Sequence, residues 1–121
     1  MESKKTLVIG ASQNPARYSY KAIHKLRYYN HPVVAVGLKV GLVDDVKIEI
    51  GQPAIEGIDT VTVYLGAENQ IPVESYILSL KPKRIIFNPG AENPSLKKKA
   101  EENGIETIEA CTLVMLTIGA F

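Results

Sequence analysis

The chain has 121 residues, 45% of them hydrophobic and 22% charged, which is enough for one globular core and too little for two. Fourteen Lys and Arg residues against 13 Asp and Glu give a formal net charge of +1, a balance that argues against bulk affinity for nucleic acid. The single cysteine, Cys111, excludes a disulfide framework and a metal site built on paired cysteines.

The same features predict where the protein works. Residues 1–5 are too polar to begin a signal peptide, and the longest apolar stretch, residues 111–118, is too short to span a bilayer. A lone cysteine is also usual in a reducing compartment. We therefore expect a cytoplasmic protein made of one domain, residues 1–121, with neither a membrane nor a nucleic-acid partner.

Strands and helices are predicted to alternate in the first third of the chain. Residues 6–10 form a short apolar run that ends in glycine, typical of a strand covered on both faces. The turn-rich segment 11–18 leads into a helix for which Ser19 is the expected N-cap, and which ends at residues 30–32. A second buried strand follows at residues 33–37.

The middle of the chain is less regular. An insert over residues 38–57 is expected to contain a hairpin turn at residues 43–46 and a short edge strand at residues 47–50. Residues 60–65 predict the third main strand. Apolar side chains at helical spacing then mark a second helix over residues 73–80.

The last third repeats the alternation. Residues 84–87 predict a fourth strand, and Asn93 followed by Pro94 is a strong signal for the start of a third helix. A fifth strand is expected at residues 105–108, and a last helix in the apolar tail at residues 111–121. The β-branched residues of this tail are poor helix formers.

This order of elements indicates an α/β fold. Strands that alternate with helices, without a meander of hairpins, imply a parallel sheet joined by right-handed crossovers. We therefore predict a Rossmann-type, doubly wound domain with a mainly parallel five-stranded sheet and helices on both faces. In such a sheet, ligands bind in the crevice beyond the carboxyl ends of the strands.

The loop after the first strand is predicted to bind phosphate. It opens the first helix, where free N–H groups and the helix dipole favour anions. Only the first glycine of the dinucleotide pattern G-x-G-x-x-G is kept, because Ser12 and Pro15 replace the other two. Ser12 and Arg17 still offer a hydroxyl and a cation. The alternative is a polar turn that only joins strand to helix.

The loop after the second strand helps to choose the ligand. Sites for NAD usually place an acidic residue there to hold the ribose hydroxyls, whereas this chain has Leu38-Lys39. Lys39 is a cation where a 2′- or 3′-phosphate of an adenosine ribose would lie. This favours coenzyme A or NADP over NAD, unless Lys39 is merely an exposed surface residue.

Two further segments are expected near the same crevice. Asn88, Pro89 and Gly90 form a loop after the fourth strand, and Asn93 starts the next helix. Cys111 follows the fifth strand and lies at the crevice rim, or else is a buried and inert residue. No nucleophile elbow, Walker motif or metal cluster is present, so we predict neither catalysis nor a metal site.

The sequence also resembles a known family, the small single-domain CoA-binding proteins, which are similar to the CoA-binding domain of the succinyl-CoA synthetase α subunit. The shared opening is a strand that ends in Gly-Ala-Ser-x-x-Pro, followed by Arg and Ser-Tyr. Matching residues are Gly10, Ala11, Ser12, Pro15, Arg17, Ser19 and Tyr20, with Gly90, Asn93 and Cys111 further along. Leu38-Lys39 and Glu109-Ala110 depart from the Asn-Pro and Asp-Arg usual in the family.

The resemblance implies CoA binding without a settled reaction. We predict a protein that binds coenzyme A or an acyl-CoA without catalysis, as a monomer or a homodimer. The adenosine is expected over the end of the second strand, the diphosphate at Ser12 and Arg17, and the pantetheine arm toward residues 88–93 and Cys111. Two alternatives are an NADP-linked oxidoreductase and an interaction module without a ligand, in which the apolar tail would form a dimer face.

Overall fold

The computed structural model describes residues 2–121, and a seven-stranded sheet forms its centre. The strand order is β3-β4-β2-β1-β5-β6-β7, and every neighbouring pair is parallel except β3 and β4. The strands are β1 (Thr6–Ala11), β2 (Val33–Gly37), β3 (Gly41–Val43), β4 (Val46–Glu49), β5 (Thr60–Val63), β6 (Arg84–Phe87) and β7 (Glu106–Glu109).

Five α-helices accompany the sheet over these residues, with one turn of 3-10 helix at Ile71–Val73. No helix in the described part of the chain is long and apolar enough to cross a membrane. The helices are α1 (Tyr18–Tyr28), α2 (Ala67–Gln70), α3 (Glu74–Ser79), α4 (Pro94–Glu102) and α5 (Thr112–Thr117).

The core has two layers, one on each face of the sheet. Side chains of successive strand residues point to opposite faces, so Leu7 and Val8 of β1 belong to different layers. The layer of Leu7 includes Ile77 of α3 and residues of α4. The layer of Val8 includes Ile23 of α1 and Leu116 of α5. The predicted α/β fold with a mostly parallel sheet and helices on both faces is therefore confirmed.

The predicted number of strands is wrong, because the sheet has seven strands and not five. The insert supplies the additional pair, a hairpin in which Val43 and Val46 lie opposite each other as expected. Asp44 at its tip adopts a φ of 53°, a left-handed conformation that Asp tolerates in turns. The strand predicted at residues 47–50 corresponds to β4. It does not form the edge of the sheet as expected, because β3 pairs with the side of β4 that faces away from β2.

Two predicted helices differ in extent. The second begins earlier, at Ala67, and is broken by the 3-10 turn at Ile71–Val73 before α3 starts. Pro72 accounts for the break, because proline has no N–H to donate to a continuing helix. The C-terminal helix is limited to Thr112–Thr117 and ends before the left-handed Gly119.

His31 is buried at the end of the sheet opposite to the carboxyl ends of the strands. Its ring is fully inaccessible and packs against Phe121, with the ring centres 4.9 Å apart. Its Nδ1 accepts a hydrogen bond from the backbone N–H of Lys4 at 3.0 Å. Burial lowers the pKa of His31, and the cations Lys4 and Arg84 lower it further. The imidazole is therefore held in its neutral form.

Acid should destabilise the fold through His31. Because the folded pKa lies below the ordinary value of 6.5, the unfolded chain binds more protons, and stability is lost as the pH falls below about 6.5. The slope should approach about 1.4 kcal/mol per pH unit. Urea unfolding of the wild type and of His31→Gln across this range measures it, and Gln removes the titrating group while keeping an acceptor for Lys4.

The exposed His24 provides the matched control, since His24→Gln should retain the acid sensitivity that His31 causes. An unchanged pH slope in His31→Gln would contradict the assignment.

Candidate ligand-binding site

A cavity of about 800 Å³ lies at the carboxyl ends of four strands, β1, β2, β5 and β6. Its volume is in the range of small-molecule sites, and its place is where ligands bind in doubly wound sheets. Four loops build its walls: Gly10, Ala11, Ser12, Gln13, Ala16, Arg17, Tyr18 and Ser19; Leu38, Lys39 and Val40; Tyr64, Leu65, Gly66 and Asn69; and Pro89, Gly90 and Ala91.

Glycine is required where β1 leaves the sheet. Gly10 has a φ of 87° and lies at an irregularity, because Ile9 pairs with Val36 whereas Ala11 pairs with Gly37. A Cβ at Gly10 would lie 2.8 Å from the carbonyl oxygen of Tyr64, closer than a methyl group can approach. Gly10, the single glycine kept from the dinucleotide pattern, thus permits the backbone at the end of β1 to lie in contact with the Tyr64 carbonyl at the end of β5.

The phosphate-loop residues hold their own backbone through short polar side chains. Ser12 Oγ accepts a hydrogen bond from the N–H of Asn14, and Asn14 Oδ1 accepts one from Ala16, each at 3.0 Å. The N–H of Arg17 then donates to the carbonyl oxygen of Asn14, which closes a turn with Pro15 at its second position. Pro15 therefore shapes the loop, and it is not among the residues that line the cavity.

Helix α1 begins at the cavity with its N–H groups uncapped. The N-cap is Arg17, whose side chain makes no capping hydrogen bond, and the first turn contains no acidic residue. The expectation that Ser19 is the N-cap is wrong, because Ser19 lies inside the first turn, buried and against the cavity. An uncapped helix start without a nearby carboxylate has a net attraction for anions.

The cavity wall is positively charged. Arg17 and Lys39 both line it and form no ion pair with any of residues 2–121. No Asp or Glu is among the residues that line it. Lys39 lies between Leu38 and Val40, whose side chains are 93% and 68% exposed. Free cations beside an uncapped helix start are suited to a ligand that carries more than one phosphate.

The opposite wall is fixed by a buried amide network. Gln70 is fully buried, and its Nε2 donates to the carbonyl oxygens of Leu65 and Ala91, both at 2.7 Å. Its Oε1 accepts from Asn93 Nδ2 at 2.9 Å, and the same nitrogen donates to Glu74 at 3.0 Å. The loops after β5 and β6 are thereby held at a set distance from each other.

Asn88 and Asn93, both predicted to contact the ligand, are instead bound within the protein. Asn93 Oδ1 accepts from the N–H of Leu96, so it caps α4 as expected. Asn88 is 2% exposed; its Nδ2 donates to Thr62 and to the carbonyl oxygen of Val63, and its Oδ1 accepts from Thr112. Neither asparagine is among the residues that line the cavity.

Cys111 is half-buried at the start of α5, outside the residues that line the cavity. Tyr64, which the sequence gives no reason to select, does line it. The Tyr64 hydroxyl is inaccessible, and burial raises its pKa, so the phenol stays protonated at neutral pH. Within residues 2–121, no group of three His, Cys, Asp or Glu side chains is arranged to hold a metal ion.

The expected loops after the first, second and fourth strands build the cavity, whereas the segment with Cys111 does not line it. Most of the selected residues do line the cavity: Gly10, Ala11, Ser12, Arg17, Ser19, Lys39, Pro89 and Gly90. Sequence reasoning missed Gln13, Tyr18, Tyr64 and Asn69, among others. Position is the signal that could have found them, since Tyr64 lies at the end of a predicted strand and the others lie between a predicted strand and the helix that follows it.

Comparison with known proteins identifies the family to which the chain belongs. A family model described as a CoA binding domain matches residues 4–117, which is nearly the whole chain. The chain belongs to this CoA-binding domain family. The predicted family resemblance is therefore confirmed. A search of curated proteins found no match.

Solved structures share the fold of this chain. The crystal structure of an uncharacterised protein is 49% identical, with a TM-score of 0.97 and 100% of both chains covered. A Thermus thermophilus protein is 20% identical, with a TM-score of 0.86, covering 98% of this chain and 91% of that chain. A hypothetical protein from Pyrococcus horikoshii OT3 is 21% identical, with a TM-score of 0.83 and coverages of 93% and 81%. The last two show a shared fold.

Replacement of Asn88 should destabilise the CoA-binding domain strongly. Asn88→Ala takes the asparagine partner from the Val63 carbonyl oxygen and the Thr112 N–H, whereas Thr62 Oγ1 keeps its hydrogen bond with Thr112 Oγ1. Each buried group left unsatisfied costs about 1–3 kcal/mol. We expect a fall of at least about 2 kcal/mol in the free energy of unfolding, measured by urea titration.

The matched control is Asn69→Ala, since Asn69 is an exposed asparagine of the cavity wall. It should change stability by no more than about 0.5 kcal/mol. Equal effects of the two substitutions would show that Asn88 does not hold the loops together.

Proposed function

We propose that this protein binds coenzyme A, free or acylated, in the cavity at the carboxyl ends of β1, β2, β5 and β6, and that it is a binding module without chemistry of its own. The observation that carries the proposal is the pair of cations, Arg17 and Lys39, which have no ion-pair partner among residues 2–121 and lie beside the uncapped start of α1. Coenzyme A carries a diphosphate and a separate 3′-phosphate on its ribose, so two cationic positions match its two anionic groups.

The proposed placement of the ligand follows the charges. The diphosphate lies against Ser12, Arg17 and the first turn of α1, where a hydroxyl, a guanidinium and free N–H groups converge. The adenosine lies over the end of β2, with its 3′-phosphate at Lys39. The pantetheine arm then runs along the wall formed by Pro89, Gly90 and Ala91.

The same wall disfavours NAD. A ribose with free 2′- and 3′-hydroxyls is usually held by a carboxylate after the second strand, and here Leu38 and Lys39 occupy that place. NADP remains the competitor, because its 2′-phosphate would also suit Lys39. Direct titration separates the two ligands.

The side chains that line the cavity support the part of the proposal that assigns the protein no catalytic activity. They include no His, Cys, Asp or Glu, the groups that most often transfer protons or attack a thioester. The titratable Tyr64 is held protonated by burial. Incubation with acetyl-CoA, followed by a thiol assay, tests this part; release of free CoA faster than without protein would contradict it.

Isothermal titration with CoA, dephospho-CoA, NADP⁺ and NAD⁺ tests the binding function. We expect CoA to bind most tightly, because it combines phosphates for both cationic positions, which NADP⁺ also has, with a flexible pantetheine arm for the far wall. NAD⁺ should bind more weakly than NADP⁺, because it has no phosphate on its adenosine ribose. Tighter binding of NAD⁺ than of CoA would refute the proposal, and tighter binding of NADP⁺ would favour the competitor.

Substitution of the two cations should have different effects. Loss of a charge-assisted hydrogen bond costs about 1.5–3 kcal/mol, so Arg17→Ala should weaken CoA binding about 10- to 150-fold. Lys39→Ala should weaken CoA toward the affinity of dephospho-CoA, because it removes only the partner of the 3′-phosphate. Both side chains are exposed, so the free energy of unfolding should change by no more than about 0.5 kcal/mol.

Lys98→Ala is the charge-matched control, since Lys98 is exposed on α4 away from the cavity. It should leave CoA binding unchanged. An unchanged affinity in a folded Arg17→Ala variant would remove Arg17 from the site, and equal weakening of CoA and dephospho-CoA by Lys39→Ala would show that Lys39 does not contact the 3′-phosphate.

A further inference from the structure

Gln13 joins the two loops that carry the cations of the cavity. Its Oε1 accepts a hydrogen bond from the backbone N–H of Leu42 at 3.4 Å. Gln13 belongs to the loop between β1 and α1, which ends at Arg17. Leu42 lies in β3, directly beyond the segment that contains Lys39. One exposed side chain of the cavity wall therefore connects these two loops.

Gly41 is shaped to receive this side chain. A Cβ at Gly41 would lie 2.8 Å from Gln13 Oε1 and 2.9 Å from Gln13 Cδ, so a larger residue at position 41 would displace the glutamine. Gly41 does not have a positive φ, so an alanine could adopt its backbone conformation and would act only by displacing Gln13. Gln13 therefore contacts β3 in two ways, through its hydrogen bond to Leu42 and through its packing against Gly41.

The three-residue segment 38–40 is anchored by the sheet at both ends. Before it, Gly37 pairs with Ala11 of β1, and after it, Gly41 pairs with Ile48 of β4. Between these ends, Leu38 and Val40 are largely exposed, and Lys39 forms no ion pair with the described residues. The hydrogen bond to Gln13 adds a side-chain contact between the second anchor and the loop that carries Arg17.

We propose that Gln13 is a positioning residue that determines specificity for a phosphate on the adenosine ribose. It acts through Lys39, by holding the segment 38–40 at a fixed distance from the phosphate loop. This inference rests on the proposed function and extends it, because it assigns the discrimination between CoA and dephospho-CoA to an uncharged residue of the opposite loop.

The test measures the ratio of the Kd for dephospho-CoA to the Kd for CoA, by isothermal titration of the full-length protein. Gln13→Met keeps the length of the side chain and loses the acceptor. We expect it to lower the ratio about 2- to 12-fold, the range for loss of one neutral hydrogen bond. The affinity for dephospho-CoA should be unchanged, because that ligand does not use Lys39.

A double-mutant cycle shows whether Gln13 acts through Lys39. In the Lys39→Ala background, Gln13→Met should leave the ratio unchanged, because the group that Gln13 positions is absent. Gly41→Ala should reproduce the effect of Gln13→Met from the other strand, since it displaces the same side chain.

Gln52→Met is the matched control. Gln52 is an exposed glutamine of the same insert, with Nε2 3.2 Å from the carbonyl oxygen of Pro72, and it does not line the cavity. Its substitution should leave the ratio at the wild-type value.

The outcomes separate the two claims. A wild-type protein that does not bind CoA refutes the proposed function, and this inference with it. A wild-type protein that prefers CoA, with the same preference in Gln13→Met, refutes only the role of Gln13. Equal weakening of both ligands, or a change in the ratio that persists in the Lys39→Ala background, also refutes it, because Gln13 would then act independently of Lys39.

Discussion

The structure depends on close backbone approach at the carboxyl end of β1. A Cβ at Gly10 would lie 2.8 Å from the Tyr64 carbonyl oxygen, and one at Gly37 would lie 2.3 Å from that of Ala11. The central strand therefore touches both of its neighbours through main-chain atoms at the point where all three leave the sheet. Two glycines make this possible, and the loops that follow diverge from that point to enclose the cavity. Side chains at these positions would force the strands apart and open the floor of the site.

The electrostatics of the cavity follow from what surrounds that floor. Helix α1 starts there without a capping side chain and without an acidic residue in its first turn, although both would stabilise an isolated helix. Stability given up at a helix start is often associated with function, because the same N–H groups are then free to bind an anion. Arg17 and Lys39 strengthen the positive potential, and the lining residues include no carboxylate to offset it.

Sequence patterns predicted the alternating elements of this domain well, because buried parallel strands appear as short apolar runs and Asn93-Pro94 marks a helix start unambiguously. They missed β3, which is three residues long and buries only Val43, and therefore placed β4 at the edge of the sheet. The loops of the site could be located from topology alone. The roles of Asn88 and Asn93 could not, since a polar side chain after a strand is equally suited to bind a ligand or a neighbouring loop. Only the three-dimensional contacts show that their amides are already bonded to protein.

The two sides of the cavity are held by contacts of different strength. On the side of β5 and β6, the Gln70 amide is fully buried and bonds to the carbonyl oxygens of Leu65 and Ala91 at 2.7 Å, in surroundings where water does not compete. On the side of β2, the segment that carries Lys39 is anchored by sheet pairing at Gly37 and Gly41, and its side-chain contact with the phosphate loop is an exposed hydrogen bond of 3.4 Å between Leu42 and Gln13. Water can compete for that bond, so side chains hold the two walls with different strength. The wall on the side of β2 bears the cation that we propose contacts the ribose phosphate. Selectivity for that phosphate would then require the charge of Lys39, and the contact with Gln13 would adjust how much that charge contributes.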